Sequence, residues 1–125
     1  MEAGEKASEL IVEHRRFPRL KFTVPVQYRN ILKPQEPFAG SLSKDLSAGG
    51  VKVTTFHFLG KDLRLVLLLY LPSSLKPIRA IGRVAWMQKQ RYTESYDCGI
   101  QFLEVNSEDQ AAVADTVERG VVQRS

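Results

Sequence analysis

The sequence predicts an antiparallel all-β domain that ends in one helix, and two observations support this fold class. Between residues 22 and 104, about six short segments alternate apolar and polar residues, and turn-forming residues separate them. From residue 107 the apolar spacing changes to that of a helix. Several short strands at close spacing favour a closed or nearly closed barrel, although the periodicity alone leaves a sandwich open.

The strand assignments follow from this alternation. In the first strand, residues 22–29, every second residue from Phe22 to Tyr28 is apolar, which indicates one buried face. Residues 63–71 are apolar on both faces, as in a central strand. The other strands are expected near residues 38–43, 51–56, 78–87 and 96–102, with loops or turns at residues 30–37, 45–50 and 72–77.

Two later residues are assigned to packing. The single tryptophan, Trp86, could stack on a base, but it alternates with Val84 and Gly82, so we expect its side chain in the core. Cys98 alternates with Ile100, and we expect a buried, inert thiol. A single cysteine cannot form an internal disulfide, which fits a reducing cytoplasm.

The C-terminal helix is predicted from its ends and its spacing. Ser107 and Gln110 match a capping box, and Gly120 suits a helix stop. The predicted organisation is a flexible leader at residues 1–13, a domain at residues 14–120 and a tail at residues 121–125. Within the domain we expect a ligand-binding arm, the barrel and the helix, at residues 14–21, 22–104 and 107–119.

Composition limits the class of protein. The chain has 125 residues, a formal net charge of +4 and 43% hydrophobic residues, which fits one globular domain. The first 13 residues contain four glutamates and do not resemble a signal peptide. The run at residues 63–71 is far shorter than the roughly 20 residues that span a bilayer. We therefore expect a cytoplasmic protein with no membrane insertion.

Catalytic and metal chemistry are not indicated. His14 and His57 are far apart in the sequence, and no cysteine pair has the spacing of metal ligands. Ser47 does not lie in a Gly-x-Ser-x-Gly elbow, and no base with an orienting partner is evident. The sequence predicts no enzyme, no metal and no cofactor.

Two short motifs carry chemistry that suits a nucleotide ligand. The first is Arg15-x-x-x-Arg19, in which the two side chains share one side of an extended segment. Guanidinium groups hold phosphate bidentately, stack on flat rings and donate to O6 and N7 of guanine. Arg16 lies between them and either adds a phosphate contact or is a solvated charge. Taken alone, such a basic cluster is more often a solvated patch than a site.

The second motif is Asp45-x-Ser47-x-x-Gly50. A carboxylate at Asp45 accepts hydrogen bonds from a base edge, and the hydroxyl of Ser47 both donates and accepts. Gly49 and Gly50 permit positive φ and a close approach of ligand to backbone. Taken alone, the segment is a turn that leads into a strand.

The two motifs together, about 25 residues apart, resemble the signature of PilZ domains. Residues 82–86, residues 99–102 and the helix from Ser107 resemble later parts of the same family, so the resemblance covers residues 14–118. It implies a six-stranded antiparallel β-barrel with a C-terminal helix, and cyclic di-GMP as the ligand.

The resemblance also implies roles for single residues. Arg15 and Arg19 would hold phosphates and guanine faces, Asp45 and Ser47 would read a guanine edge, and Gly50 would keep the turn open. The residue before the first motif arginine is similar in position to one that influences whether one or two stacked ligands bind. That residue is His14 here, and its charge changes within the ordinary buffer range.

Three functions stay open at this point. The first is a cyclic di-GMP receptor that signals when ligand orders its N-terminal arm and alters contacts with an effector protein. The second is a barrel that binds single-stranded nucleic acid, which is disfavoured because Phe22, Tyr28, Tyr96 and Phe102 alternate as core residues. The third is a PilZ-like adaptor that acts only through protein contacts. Both a monomer and a homodimer are compatible with the sequence.

Overall fold

Six strands form a closed barrel in the computed structural model, which describes residues 23–72 and 74–124, with side chains as far as Arg119. The spatial order is β1-β2-β3-β6-β5-β4, and every pair of neighbours is antiparallel. The elements are β1 (Pro25–Asn30), β2 (Ala39–Ser47), β3 (Gly50–Thr55), β4 (Arg64–Leu69), β5 (Ile78–Lys89), β6 (Tyr96–Val105) and α1 (Ser107–Arg124). The predicted barrel with one C-terminal helix is confirmed, and the sandwich is excluded.

The barrel interior is filled by the inward-facing residue of each alternating pair. The fully buried aliphatic side chains come from β1 to β5 and from α1. Val113 and Val117, one helical turn apart, are 1% and 2% exposed and join this core, so α1 covers one end of the barrel. Burying one Leu or Val side chain contributes roughly 1.5–3 kcal/mol, so packing rather than helix propensity stabilises α1.

The antiparallel order assigns every connection to one of two barrel ends. The β2–β3 turn, the β4–β5 loop and α1 lie at one end, which we call the helix end. The β1–β2, β3–β4 and β5–β6 connections lie at the opposite end, which we call the loop end. There the Ile31 N–H donates to the Arg64 carbonyl and the ring of Phe58 contacts Tyr96 edge-on, so the three connections lie side by side.

The N-cap of the helix lies one residue before the predicted N-cap, Ser107. The Asp109 N–H donates to Oδ1 of Asn106 at 2.8 Å, so Asn106 is the N-cap and the capping box predicted at Ser107 is wrong. The predicted stop at Gly120 is also not observed, because α1 continues to Arg124. A glycine inside a helix costs about 1 kcal/mol relative to alanine, which does not prevent the helix from continuing.

Strand β2 is longer than the sequence suggested. Asp45 and Ser47 lie in the strand, Ser47 pairs with Gly50, and only Ala48 and Gly49 form the turn. The prediction of a turn over residues 45–50 is therefore wrong for most of that segment. Two residues are enough to connect two adjacent antiparallel strands, so residues 45–47 can belong to β2.

The strand register shifts at three places, and two of these shifts, one in β2 and one in β5, change which residues face outward. In β2 the register shifts between Ser43 and Asp45, so Lys44 is the extra residue. In β5 it shifts between Val84 and Trp86, so Ala85 is the extra residue. Because side chains alternate with a period of two, one extra residue moves every later side chain to the opposite face.

The bulge in β5 explains why the core assignment of Trp86 is wrong. Val84 is buried, whereas Trp86 is 43% exposed on the outside of the barrel, and Met87 instead packs against the core. The buried thiol predicted at Cys98 is confirmed. Burial raises the pKa of the Cys98 thiol to about 11, which keeps it protonated and unreactive at neutral pH.

Candidate functional site

The outer face of β2, β3, β6 and β5 carries two neighbouring rows of cross-strand partners. One row runs from Asp45 through Lys52 and Gly99 to Trp86. The other runs from Ser47 through Gly50 and Gln101 to Arg83. Adjacent strands are about 4.8 Å apart, so each row is about 14 Å long, which is wide enough for a nucleotide-sized ligand. We call this surface the outer-face site.

Asp45 forms one edge of the outer-face site. The bulge at Lys44 directs Asp45 outward, to the same face as Ser47, while Leu46 between them is fully buried in the core. The Asp45 carboxylate is 7% exposed and lies 3.8 Å from Nζ of Lys52. A carboxylate held in this way on a rigid strand is a directed acceptor next to a cation.

Ser47 and Gly49 shape the turn at the end of the site. The Ser47 hydroxyl accepts a hydrogen bond from the Gly49 N–H at 3.2 Å, and the Phe102 N–H donates to the Gly49 carbonyl at 2.9 Å. These contacts attach the β2–β3 turn to β6 and orient the serine oxygen. The predicted site residues Asp45, Ser47, Gly49 and Gly50 are therefore brought together at one edge of the outer face.

Gly50 is required for a different reason from the one expected. Its φ does not lie in the left-handed region, and a Cβ at this position would overlap the backbone carbonyl of Ile100 in β6. The glycine thus allows β3 and β6 to approach closely, and no side chain projects from this position beside Ser47.

Trp86 forms the opposite edge, although the sequence pattern had favoured the core for it. Its indole lies over Gly99, where a Cβ would overlap the ring at Nε1 and Cε2. Gly99 and Gly50 make the middle of the outer face shallow, while Asp45 and Trp86 border it. This exposed indole, across the row from Lys52 and Asp45, offers an aromatic surface on which a flat base can stack.

Other side chains around the site are held by ion pairs. The guanidinium of Arg83 donates to the carboxylate of Asp62 and to the side chain of Gln101. Asp97 accepts from Nζ of Lys44 at 2.8 Å and from Gln90 at 2.6 Å. Burial of Asp97 alone would raise its pKa, but these hydrogen bonds and the charges of Lys44 and Lys52 lower the pKa below its ordinary value.

The remaining predicted site residues, His14, Arg15, Arg16 and Arg19, lie outside the described residues. Their expected roles stay predictions. Lys52, Arg83, Trp86, Gly99 and Gln101 are additions that only the strand register could reveal.

Within residues 23–72 and 74–124, no cluster of His, Cys, Asp or Glu side chains is arranged to hold a metal ion. In the same part of the chain, no helix is long and apolar enough to cross a bilayer.

The structure is a small six-stranded antiparallel barrel with one C-terminal helix. The family model described as PilZ domain matches residues 13–119, and the chain belongs to the PilZ domain family. The match includes both motifs predicted from the sequence.

Solved structures have the same fold. The chain is similar to the Bacillus subtilis inhibitor of motility MotI/DgrA, with a TM-score of 0.76, 21% identity and coverage of 88% of this chain and 52% of that chain. It is similar to the PilZ domain of Escherichia coli YcgR with c-di-GMP (cyclic di-GMP), with a TM-score of 0.65, 14% identity and coverage of 90% and 97%. It is also similar to the K. pneumonia MrkH complex with cyclic di-GMP, with a TM-score of 0.65, 22% identity and coverage of 88% and 53%.

The chain therefore spans about half the length of two of these neighbours and nearly all of the isolated PilZ domain. At these identities the likeness shows the fold. No curated protein sequence matches the chain.

Proposed function

We propose that this chain is a non-catalytic receptor that binds cyclic di-GMP on its outer-face site. The observation that carries the proposal is the grouping of Asp45, Ser47, Gly49 and Gly50 beside Lys52 on the outside of a PilZ barrel. A cyclic dinucleotide with two phosphates and two guanines needs cations, an acceptor for guanine N1 and N2, and a flat stacking partner. Two neighbours of the same fold hold this ligand.

Roles for the described residues follow from their chemistry. Asp45 accepts from the N1 and N2 donors of a guanine, and Ser47 adds a hydrogen bond at the same edge. Lys52 lies close enough to Asp45 to neutralise a phosphate next to that guanine. Trp86, at the far end of the same row, offers a stacking surface.

The chain length before the barrel is sufficient for Arg19 to reach this site. The described chain starts at Thr23, and the next residue, Val24, exchanges hydrogen bonds with Ser43 in β2. Arg19 precedes Thr23 by four residues, which span about 13 Å when extended. The same number of residues separates Ser43 from Ser47, so Arg19 can reach the outer-face site. We propose that ligand binding orders residues 14–21 against this site and alters contacts with an effector protein.

Calorimetric titration of the full chain tests the receptor proposal. We expect saturable binding of cyclic di-GMP, with weak or no binding of GTP and of a short single-stranded oligonucleotide. Because Trp86 is the single tryptophan of the chain, the ligand should also change its fluorescence. Heat and fluorescence that stay unchanged at saturating cyclic di-GMP would overturn the proposal and favour the adaptor. Tighter binding of the oligonucleotide would favour the nucleic-acid function.

A pair of arginine variants sharpens this test. Arg19→Ala should weaken binding by about 10- to 100-fold, because a charge-assisted contact contributes roughly 1.5–3 kcal/mol. Arg79→Ala is the matched control, since Arg79 is exposed on β5 near the helix end, outside both rows. Equal losses for the two variants would indicate general electrostatic attraction instead of a specific site.

His14 bears on the number of ligands. We propose that protonated His14 favours a stacked ligand dimer, so binding should be tighter at about pH 6 than at about pH 8, with proton uptake. Calorimetry at both pH values with wild type and His14→Leu checks this. A ratio of one ligand per chain in all four titrations would exclude the dimer and leave the receptor proposal intact.

A further inference from the structure

The loop end of the barrel exposes large apolar side chains that the outer-face site does not use. Leu32 is 81% exposed, Phe56 73%, Phe58 69% and Tyr92 94%, and Ile31 is exposed beside Leu32. They come from all three connections at this end. We call these five side chains the loop-end surface. Exposed large apolar side chains that lie together at one end of a domain are typical of an interaction surface.

The apolar side chains stand on well-anchored loops. The ring of Phe58 packs edge-on against Tyr96 at 5.8 Å, and the neighbouring Leu59 N–H points at Sδ of Met87. The Asn30 side chain accepts from the Leu32 N–H at 2.9 Å. Because the tips are held in place, their exposure is a property of the fold.

Charge is distributed unevenly between the two ends of the barrel. At the loop end, five exposed basic residues face three acidic ones: Lys33, Lys61, Arg64, Lys89 and Arg91 against Glu36, Asp62 and Glu94. Asp62 is already paired with Arg83, and Glu36 with Lys33. At the helix end, the described side chains include the five carboxylates from Glu104 to Glu118 and three exposed basic residues, Lys76, Arg79 and Arg119. The apolar tips are therefore surrounded by net positive charge, while the opposite end carries a small excess of negative charge.

We propose that the loop-end surface docks this domain onto a membrane that contains anionic lipids. The apolar tips would lie among the lipid headgroups, and Lys61, Arg64, Lys89 and Arg91 would contact lipid phosphates. Weak apolar insertion and a polybasic patch are each marginal alone and give stable anchoring together. No spanning segment is needed, so the docking is peripheral.

The alternatives fit the same observations less well. Two copies joined through their loop ends would bring like charges together. A loop end against a helix end would match charges but would build an open-ended chain of molecules. The exposed apolar tips come from three separate connections, and a lipid surface can contact each of them without a partner of matching shape.

Cosedimentation of the full chain with vesicles tests this proposal. Vesicles of phosphatidylcholine mixed with phosphatidylglycerol should bind the protein at low salt, and vesicles of phosphatidylcholine alone should bind at least about fivefold less. Binding to the mixed vesicles should fall as salt is raised, because screening weakens the electrostatic part. The absence of binding to mixed vesicles would overturn the proposal and leave the loop end as a protein contact.

Paired variants locate the contact. Leu32→Ser combined with Tyr92→Asn removes two tips, and asparagine tolerates the positive φ of 61° at residue 92. Lys61→Glu combined with Arg91→Glu reverses two charges. Each pair should lower the bound fraction at least about threefold. The matched controls are Leu75→Ser and Lys76→Glu, which remove a fully exposed leucine and a lysine at the helix end, and both should bind like wild type.

These variants also separate the membrane proposal from the receptor proposal. The loop-end pairs should titrate with cyclic di-GMP as wild type does, because the loop-end surface shares no residue with the outer-face site. Loop-end variants that bind vesicles like wild type, or controls that lose binding equally, would overturn the docking proposal. Circular dichroism of each variant confirms that a loss is not caused by unfolding.

Discussion

The inner and outer faces of strands β2 and β3 differ in what each residue is used for. Leu46 points into the core and is fully buried, whereas its neighbours Asp45 and Ser47 point outward into the outer-face site. Residues that touch in sequence therefore serve separate purposes, folding on one face and recognition on the other. A rigid strand positions a site more accurately than a loop, because its core-facing neighbours hold it.

The largest expected effect tests the inner face. Leu46→Ala should lower the free energy of unfolding by about 2–5 kcal/mol, because it removes a buried side chain and leaves a cavity. Urea unfolding followed by circular dichroism measures the change. The folded variant should keep wild-type affinity for cyclic di-GMP within about threefold, which is under 1 kcal/mol. Unchanged stability together with lost affinity would contradict the assignment of the inner face to folding and the outer face to ligand binding.

The next effect tests the outer face. Asp45→Asn should weaken cyclic di-GMP binding by about 10- to 100-fold, because the amide replaces a charged acceptor for guanine. It should also reduce the preference for cyclic di-GMP over cyclic di-AMP in parallel titrations. Asp115→Asn, on the exposed side of α1, is the matched control and should not change affinity. Stability lost in place of affinity would assign Asp45 to the fold.

Gly50 lies in the outer-face site and also allows β3 and β6 to pack closely. Its substitution is therefore expected to lower the stability of the barrel. Gly50→Ala should cost about 1–3 kcal/mol, since its Cβ would overlap the Ile100 carbonyl in β6. Gly40→Ala provides the control, because a Cβ there meets nothing within 4 Å. That variant should lie within about 0.5 kcal/mol of wild type in the same urea experiment. Similar costs at both positions would argue against the close approach of β3 and β6.

The smallest expected effect concerns Asp97 and pH. The folded-state pKa of Asp97 is lowered, so its contribution to stability is present above the unfolded pKa of about 3.9 and is lost as the pH falls through the folded value. Asp97→Asn should therefore cost about 0.2–1 kcal/mol at pH 7 and nothing once wild-type Asp97 is protonated. Urea midpoints at pH 7 and about pH 2 provide the measurement. A cost of the same size at both pH values would show that the charge is not involved.

The amino-acid pattern was sufficient for the part of the structure that depends on local alternation. Period-two spacing identified the buried residues Val24, Val26 and Tyr28, and the predicted cap at Ser107 located the start of α1, but not its end, to within one residue. The resemblance of the two motifs to the PilZ signature also predicted the family, which the family model confirms, whereas the ligand roles of the motif residues stay predictions.

The tertiary structure decided how those residues are presented. The bulges at Lys44 and Ala85 turn Asp45 and Trp86 to the outer face, and each is defined by the pairing of two strands. A period of two counted along one strand does not include the extra residue of a bulge. For this reason it wrongly predicted that Trp86 lies in the core. The need for glycine at Gly50 and Gly99 likewise depends on a neighbouring strand and a neighbouring ring. Alternation is a local property of the chain, whereas register is a property of two segments brought together by folding.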